Sequence, residues 1–542
     1  MKTGYNILIL AAVVFQALLL QSCTDFLNTK PKDFVSPDDF YSNEKNLKAA
    51  LTSVYSTLRS TYLYGSNYTN RMGADGELCY FRKEETANVA LFKYNAANVD
   101  ISNFWDRLYT GINSANYLLS YVDKAEVSDE QTRDEIRGEA LFLRGYFYFL
   151  LVTNFGDVPL VVTPTVSLDS LKVPRTPSEE VYSRITEDME TAFYLVRKAE
   201  VTDNDPGCGG IVTKSAVAGI LARVYLHWAG YPLLNTDKYA DVKKWAQVVM
   251  TPEEVGVTHR LNPSFEEVFK NYAADKYDIL ESIWEVEFYG NNTDQYSLAG
   301  RNGDLNGIYS VKSSPMGSAN GNLRATATLF HMYEDDDDDD SGYTDLRRDL
   351  AIAPFSYNKD GSKKYYTSDK TQIWGRYPGK YRREWEVVFP KTIYTPINYP
   401  LLRYSDVLLM YAEAENFLND GPTQEAIDAV NLVRGRAEAS LLEGSNVPAT
   451  RQDFLEFLQD ERARELCFEG LRRGDLIRWG IYVNAYKSMI ATYRNASADS
   501  GLSESTRTFI VGLERIDNKH ILWPIPTNER AVNKLLTQNE GW

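Results

Sequence analysis

The chain predicts a mainly α fold: a helical-hairpin scaffold carrying long irregular loops and a few short strands. Three observations lead there. Apolar residues recur at three- and four-residue spacing through residues 38–254 and 401–542. That periodicity fades across residues 255–400, where Gly, Asn, Asp, Tyr and Trp become frequent. The chain also holds 37 Tyr and 9 Trp, more polar-tipped aromatics than a core requires. Its 542 residues give ample material for a core, and 44% hydrophobic with 25% charged residues is an ordinary globular composition. Against 58 Lys and Arg stand 75 Asp and Glu, a net charge of -17. Such a surface repels phosphate backbones and excludes a nucleic-acid partner. Four His and four Cys leave little for a zinc site or a disulfide scaffold.

The first element is an address. Lys2 supplies a positive start, and ILILAAVVFQALLL at 7–20 is a signal-peptide core too short to span a membrane comfortably. Leu20-Gln21-Ser22-Cys23 follows and resembles the lipobox of bacterial lipoproteins, with Gln21 departing from the usual small residue. Residues 1–22 are therefore read as a lipoprotein signal peptide. Cys23 is the lipidation site, and residues 23–37 are the lipidated Cys and its tether. Each buried acyl methylene contributes about 0.8 kcal/mol, so two or three chains anchor almost permanently. Cys79, Cys208 and Cys467 are read as structural thiols forming at most one disulfide.

Helices follow in order. Residues 42–58 place Leu47, Leu51, Val54, Tyr55 and Leu58 on one face. Residues 135–152 form a strongly apolar helix stopped by Asn154-Phe155-Gly156-Asp157. Thr176-Pro177-Ser178-Glu179 reads as a capping box with Pro at the first helical position. A helix from Thr213 ends at Gly230 and carries His227, read as a core or boundary histidine. Residues 405–418, 423–436 and 450–468 continue the series. Paired amphipathic helices with short turns suggest a tetratricopeptide-like scaffold, although no strict 34-residue repeat is visible. Within residues 255–400, short strands are expected at 281–288 and 386–389, between loops of the kind that carry binding groups.

Catalytic signatures are absent: no HExxH, GxSxG, GxxxxGK[ST], CxxC or GxGxxG occurs. A glycosidase carboxylate pair would need a separation that sequence does not show. Glu334 to Asp340 is one Glu followed by six Asp. It lacks the spaced pattern of a calcium loop and reads as a solvated acidic run; no cofactor is predicted, with calcium left open.

Six segments in order carry a resemblance. They are Cys23-Thr24-Asp25-Phe26-Leu27; ALFLRGYFYFLLVTNFGDVPL at 140–160; VTKSAVAGILARVYLHWAG at 212–230; LLRYSDVLLMYAEAENFL at 401–418 with AVNLVRGRA at 429–437; ERARELCFEGLRRGDLIRWG at 461–480; and LWPIPTNE with LLTQNEGW at the end. Together they resemble the RagB/SusD family of outer-membrane nutrient-binding lipoproteins, and least of the likeness falls in 255–400. The resemblance implies a single SusD-like domain over 38–542, with its scaffold in 38–254 and 401–542 and a variable ligand region at 255–400. It implies a lipid anchor on the outer membrane facing the cell exterior. It also implies capture of an oligosaccharide or other nutrient for a SusC-like TonB-dependent transporter, without catalysis. Two alternatives stay open: a helical scaffold or lid for the transporter that binds no glycan, and a surface glycoside hydrolase.

The fifth segment itself reads as structure. Glu461, Arg464, Glu465, Glu469, Arg472, Arg473 and Asp475 interleave with Leu466, Phe468, Leu471 and Leu476, the pattern of a partly buried ion-pair network. Trp523-Pro524-Ile525-Pro526 is a rigid extended segment expected to pack the tail onto the helices. Ligand candidates come from GADGELCYFR at 73–82 and from the aromatic loops of the middle region: Asp75, Tyr80, Phe81, Tyr289, Tyr296, Arg301, Trp374 and Tyr377. Aromatic rings suit the apolar face of a sugar, and Asp or Arg its hydroxyl rim. Each candidate could equally serve the core or an ordinary surface. Trp374, flanked by polar residues and Gly375, leads the list, and Trp374→Ala is expected to weaken glycan binding about tenfold without unfolding the protein.

Overall fold

The computed structural model describes residues 36–82, 88–167, 171–202, 207–333, 345–366, 373–495 and 504–542. Cys23 and the acidic run at 334–340 lie outside the described residues. The scaffold opens with α1 (Glu44–Ser56), capped by Asn43, whose side chain accepts from the Asn46 N–H. It continues through α2 (Val99–Tyr121), α3 (Glu130–Phe155), α4 (Ser178–Leu195), α5 (Lys214–Ala229) and α6 (Tyr239–Val249). Consecutive helices pack on one another, α2 on α3, α3 on α4 and α5 on α6, which is the predicted hairpin series.

The apolar helix α3 is longer than expected because its first turns are polar and amphipathic. From Gly138 to Val152 every residue is buried, so the helix lies inside the fold rather than on it. Trp284 meets two of its rings edge-on, Phe142 at 5.0 Å and Tyr146 at 4.9 Å. The helix ends where Gly156 takes φ 71°, a conformation that costs a residue with a Cβ.

The expected capping box at 176–179 does not form. Pro177 occupies the N-cap and no side chain of the segment caps the helix. Asp157, delivered by the stop of α3, does so instead: its Oδ1 accepts from the Ser178 N–H at 2.8 Å and from Ser178 Oγ at 2.7 Å. A local pattern was answered by a carboxylate from the preceding helix.

The middle region begins with α7 (Phe265–Ala273) and holds short antiparallel strand pairs. β1 (Cys79–Phe81) comes from the early segment, followed by β2 (Ser282–Val286), β3 (Leu323–Ala325), β4 (Ile352–Ala353), β5 (Phe355–Tyr357), β6 (Lys363–Tyr365), β7 (Tyr377–Pro378) and β8 (Tyr399–Arg403). The pairs are β1 with β3, β2 with β8, β4 with β7 and β5 with β6. The strand expected at 281–288 is β2, buried on both faces. The one expected at 386–389 is not a strand: Glu386 ends a single helical turn, Arg383–Trp385, and its carboxylate is held by Arg383 at 2.7 Å.

The scaffold resumes with α8 (Tyr404–Leu418), α9 (Gln424–Arg436), α10 (Arg451–Leu466), α11 (Arg472–Arg478), α12 (Tyr482–Asn495) and α13 (Glu504–Gly512). Here the predicted ion-pair network is present and larger than the fifth segment implied. Glu465 accepts from Arg436 at 2.6 Å, Arg403 at 2.9 Å and Arg347 at 3.2 Å. Glu461 takes Arg347, Arg434 and Arg464 at 2.7 to 2.9 Å. Glu469 takes Lys380 at 2.6 Å and Arg403 at 2.8 Å. A second group joins Asp406 and Asp475 through Arg462, with Arg223 on Asp406 and Arg478 on Asp475. The guanidinium groups hold Glu461 down to about 2 despite its burial, and the carboxylates raise the guanidinium groups in turn. Arg347, Arg403, Arg436, Arg462 and Arg478 all sit above the ordinary arginine range, their carboxylate neighbours outweighing desolvation.

The tail closes onto this scaffold as expected. The Trp523 N–H donates to Asn154 O at 2.7 Å, and the Asn539 amide donates to Phe155 O and Trp523 O. The three described cysteines, Cys79, Cys208 and Cys467, are free thiols. No helix among the described residues is long and apolar enough to cross a membrane.

Candidate functional site

The eight candidate residues fall into two groups. Asp75, Tyr80, Phe81, Trp374 and Tyr377 lie in and around the β1–β3 pair and are all buried. Tyr289, Tyr296 and Arg301 belong to a separate loop face.

The buried group is tied together by backbone geometry. Tyr80 stands opposite Arg324 in the β1–β3 register, and its hydroxyl donates to Trp374 O. The Ala325 N–H donates to Arg376 O at 3.0 Å, bringing the residues around β7 alongside β3. The Trp374 ring meets Tyr493 of α12 edge-on at 5.7 Å, and Tyr80 meets Phe509 of α13 at 5.3 Å. Trp374 is therefore packed between elements. Its expected behaviour on truncation changes accordingly, because removing a buried indole leaves a cavity. Asp75 accepts the Gly470 N–H at 2.9 Å, and burial pushes its carboxyl up to about 7. It joins the early segment to the start of α11.

Tyr377 is at the edge of this group. The Arg324 guanidinium lies 3.6 Å over its ring. Gly321, at φ 49°, lets the chain pass so closely that a Cβ there would sit 2.7 Å from the Tyr377 ring and 2.8 Å from the Tyr309 N. Tyr309 is 40% exposed and Arg82, one residue past β1, is exposed. The result is a small polar-aromatic surface with Arg324 at its centre, Tyr377 beneath it, and Tyr309 and Arg82 at its rim.

The loop face is built from two segments. Tyr289 and Leu298 exchange both backbone hydrogen bonds, and so do Gly300 and Thr395. The Asn291 amide donates to Pro390 O and Thr392 Oγ1 donates to Asn291 O, both at 2.8 Å. These bonds fix a hairpin onto the 389–395 segment and hold three rings in solvent: Tyr289 at 62%, Tyr296 at 72% and Phe389 at 69% exposure. Arg301 is committed locally, with Nε donating to Asp304 Oδ2 at 2.6 Å and its guanidinium 5.5 Å over Tyr394. Large rings held in water by a stiffened backbone are what a stacking surface for a flat, partly apolar ligand requires.

Sequence reasoning missed Arg324, Arg82, Tyr309 and Phe389. Arg82 ends the segment from which Asp75, Tyr80 and Phe81 were taken. Phe389 was assigned to a strand that does not form. Nothing local marks Arg324, whose place is decided by pairing with a strand more than two hundred residues away. Among the described residues no group of three or more His, Cys, Asp or Glu side chains is arranged to hold a metal.

Comparison with known proteins bears on both scaffold and loops. The family described as "SusD family" matches residues 280–542, and "Starch-binding associating with outer membrane" matches residues 25–226. The SusD-like protein P25 of Formosa agariphila is 25% identical over 99% of this chain and 98% of its own. A SusD homolog from Bacteroides thetaiotaomicron superposes with a TM-score of 0.81 at 26% identity, covering 95% of this chain and 99% of that one. A laminarin-binding SusD-like protein shares the fold, with a TM-score of 0.69 at 20% identity over 93% of this chain and all of its own. The family descriptions match both halves of the chain and the fold superposes over most of its length, and the chain belongs to the RagB/SusD family.

Proposed function

We propose that this protein is a cell-surface glycan-binding lipoprotein. Anchored through Cys23 in the outer membrane, it captures an oligosaccharide and passes it to a SusC-like TonB-dependent transporter without chemical change. The observation that carries the reading is the loop face. Tyr289, Tyr296 and Phe389 are held open to solvent by a hydrogen-bonded backbone, on a scaffold shared with proteins named for laminarin binding and for surface glycan binding. Three large exposed rings on stitched loops are costly to keep in water unless something covers them. A pyranose presents an apolar face of C–H groups to such rings and a hydroxyl rim to polar neighbours.

Membership of a family whose description names starch binding and the outer membrane supports the anchor and the location. Capture needs only rings for the apolar face of a sugar and polar groups for its rim, which the loop face supplies. The test is affinity electrophoresis of the chain from residue 24 onward against plant, microbial and host polysaccharides, with product release followed in parallel. Retardation by one class without product supports capture. Released product would replace this reading with a hydrolase, and failure to retard on any polysaccharide would refute glycan capture. Co-purification of the full lipoprotein with an outer-membrane barrel transporter tests the delivery step.

A further inference from the structure

Arg324 is buried, with 4% of its surface exposed. Its Nη1 donates to Leu323 O at 3.1 Å and to Gly321 O. Its Nε and Nη2 have no hydrogen-bond partner among the described residues, and neither is sealed from solvent. No carboxylate of the described residues pairs with it, although the chain carries 75 acids. The groups that act on it most strongly are phenols and a second arginine: Tyr377, Tyr80, Arg82 and Tyr366. Burial accordingly pulls its pKa below the ordinary arginine range, opposite to the five guanidinium groups raised in the helical network.

The strand geometry adds a second cation. Tyr80 and Arg324 are cross-strand partners, and the Arg82 N–H donates to Asn322 O at 2.8 Å, continuing the ladder by one step. Residues two apart share a face of a strand, so Arg82 and Tyr80 stand on the face that carries Arg324. Arg82 is exposed and takes part in no ion pair among the described residues. Two arginines thus share one face, with the Tyr377 ring below and the half-exposed Tyr309 ring beside them, on a molecule of net charge -17. A planar fork with two free donors is the group suited to bidentate recognition of an oxyanion.

We infer that the glycan taken by this protein is anionic, with Arg324 and Arg82 receiving its carboxylate or sulfate groups while Tyr377 and Tyr309 flank the sugar ring. The inference rests on the glycan-capture reading and names the substrate class. A local cluster of positive charge recruits an anionic polymer against the repulsion of the rest of the surface, and its contribution falls with salt.

The experiment is a retardation series of the mature chain on polygalacturonate, chondroitin sulfate and dextran sulfate, with amylose and laminarin as neutral arms, at rising NaCl. Retention on at least one anionic polymer, weakening with salt, is the expected result. Polygalacturonate alone would assign the carboxylate, and the sulfated polymers alone the sulfate. Arg324→Gln should reduce that affinity by about tenfold or more, and Arg82→Gln by about threefold with unchanged melting. Should Arg324→Gln fail to fold, Arg82→Gln and Tyr309→Ala carry the test from exposed positions. Retention on neutral polymers only, or anionic retention unmoved by Arg82→Gln and Arg324→Gln, overturns the inference and leaves glycan capture standing. No retention on any polymer overturns both.

Discussion

Buried arginines occur in two opposite settings in this protein. Around Glu461, Glu465 and Glu469, four elements contribute five guanidinium groups, and each meets one or more carboxylates at hydrogen-bond distance. Within β3, Arg324 is buried too but meets two carbonyls and a tyrosine ring, with Arg82 nearby. Desolvation acts on both. In the first setting the neighbouring negative charge outweighs it and the lattice is locked; in the second no carboxylate of the described residues pairs with it. A charge lattice of this kind is a structural device, since its carboxylates and guanidinium groups neutralise one another. An open one has binding capacity left, and the two settings separate scaffold from site more clearly than burial does.

The comparison can be broken at its strongest point first. Glu465→Gln leaves three guanidinium groups short of a partner, and is expected to destabilise the protein by about 4 kcal/mol or more in denaturant unfolding. A change under about 1 kcal/mol would mean that water or relaxation repairs the lattice and that it is not a closed unit. Next in size is Trp374→Ala, expected to cost about 3 kcal/mol as a buried indole is replaced by a cavity against Tyr493. This revises the expectation, drawn from sequence, of a binding defect in an intact fold. If instead stability holds and glycan affinity falls, the indole reaches the ligand.

The pH dependence sharpens the contrast through carboxylates of opposite sign. Glu461, held at about 2, contributes stability that is complete above the ordinary carboxylate pKa and is lost as the pH falls toward 2. Asp75 and Glu139, both pushed by burial to about 7, act the other way. The unfolded chain releases those protons near pH 4 while the native state keeps them, so stability falls as the pH rises from about 4 to about 7 and is level beyond. Asp75→Asn should therefore gain about 3 kcal/mol at pH 8 relative to pH 4.5 when both are measured by urea unfolding. A variant that tracks wild type at both pH values would show that Asp75 titrates normally. The smallest expected effect is Tyr296→Ala, within about 0.5 kcal/mol of wild type in stability because the ring is in solvent. Its readout is glycan affinity, and a large loss of stability would mean that the loop face is part of the core.

Much of the scaffold was legible along the chain. The helices at 42–58, 213–230, 405–418, 423–436 and 450–468 appear within a residue or two of their expected bounds, because an apolar stripe repeats locally and its caps are adjacent. The charged pattern at 461–475 announced a network for the same reason. What was not legible is partner choice. The segment named the acids, but Arg347, Arg403, Arg436 and Lys380 arrive from loops and strands far away in sequence. The capping box at 176–179 failed likewise, since Asp157 reaches across a turn to accept the Ser178 N–H at the helix start.

The candidate site divides along the same line. Aromatic residues in a region without periodicity were enough to point at Tyr289, Tyr296, Trp374 and Tyr377, but not to say which are wet. Two loops stitched by Asn291 and Thr392 keep Tyr289 and Tyr296 in solvent, whereas the packing of α12 and α13 covers Trp374 and Tyr80. By itself the sequence determined the helical order, the family and the absence of catalytic motifs, all properties of local pattern. Tertiary structure alone decided which aromatics are exposed and which arginines lack a carboxylate among the described residues, because burial and charge pairing are set by contacts between segments hundreds of residues apart.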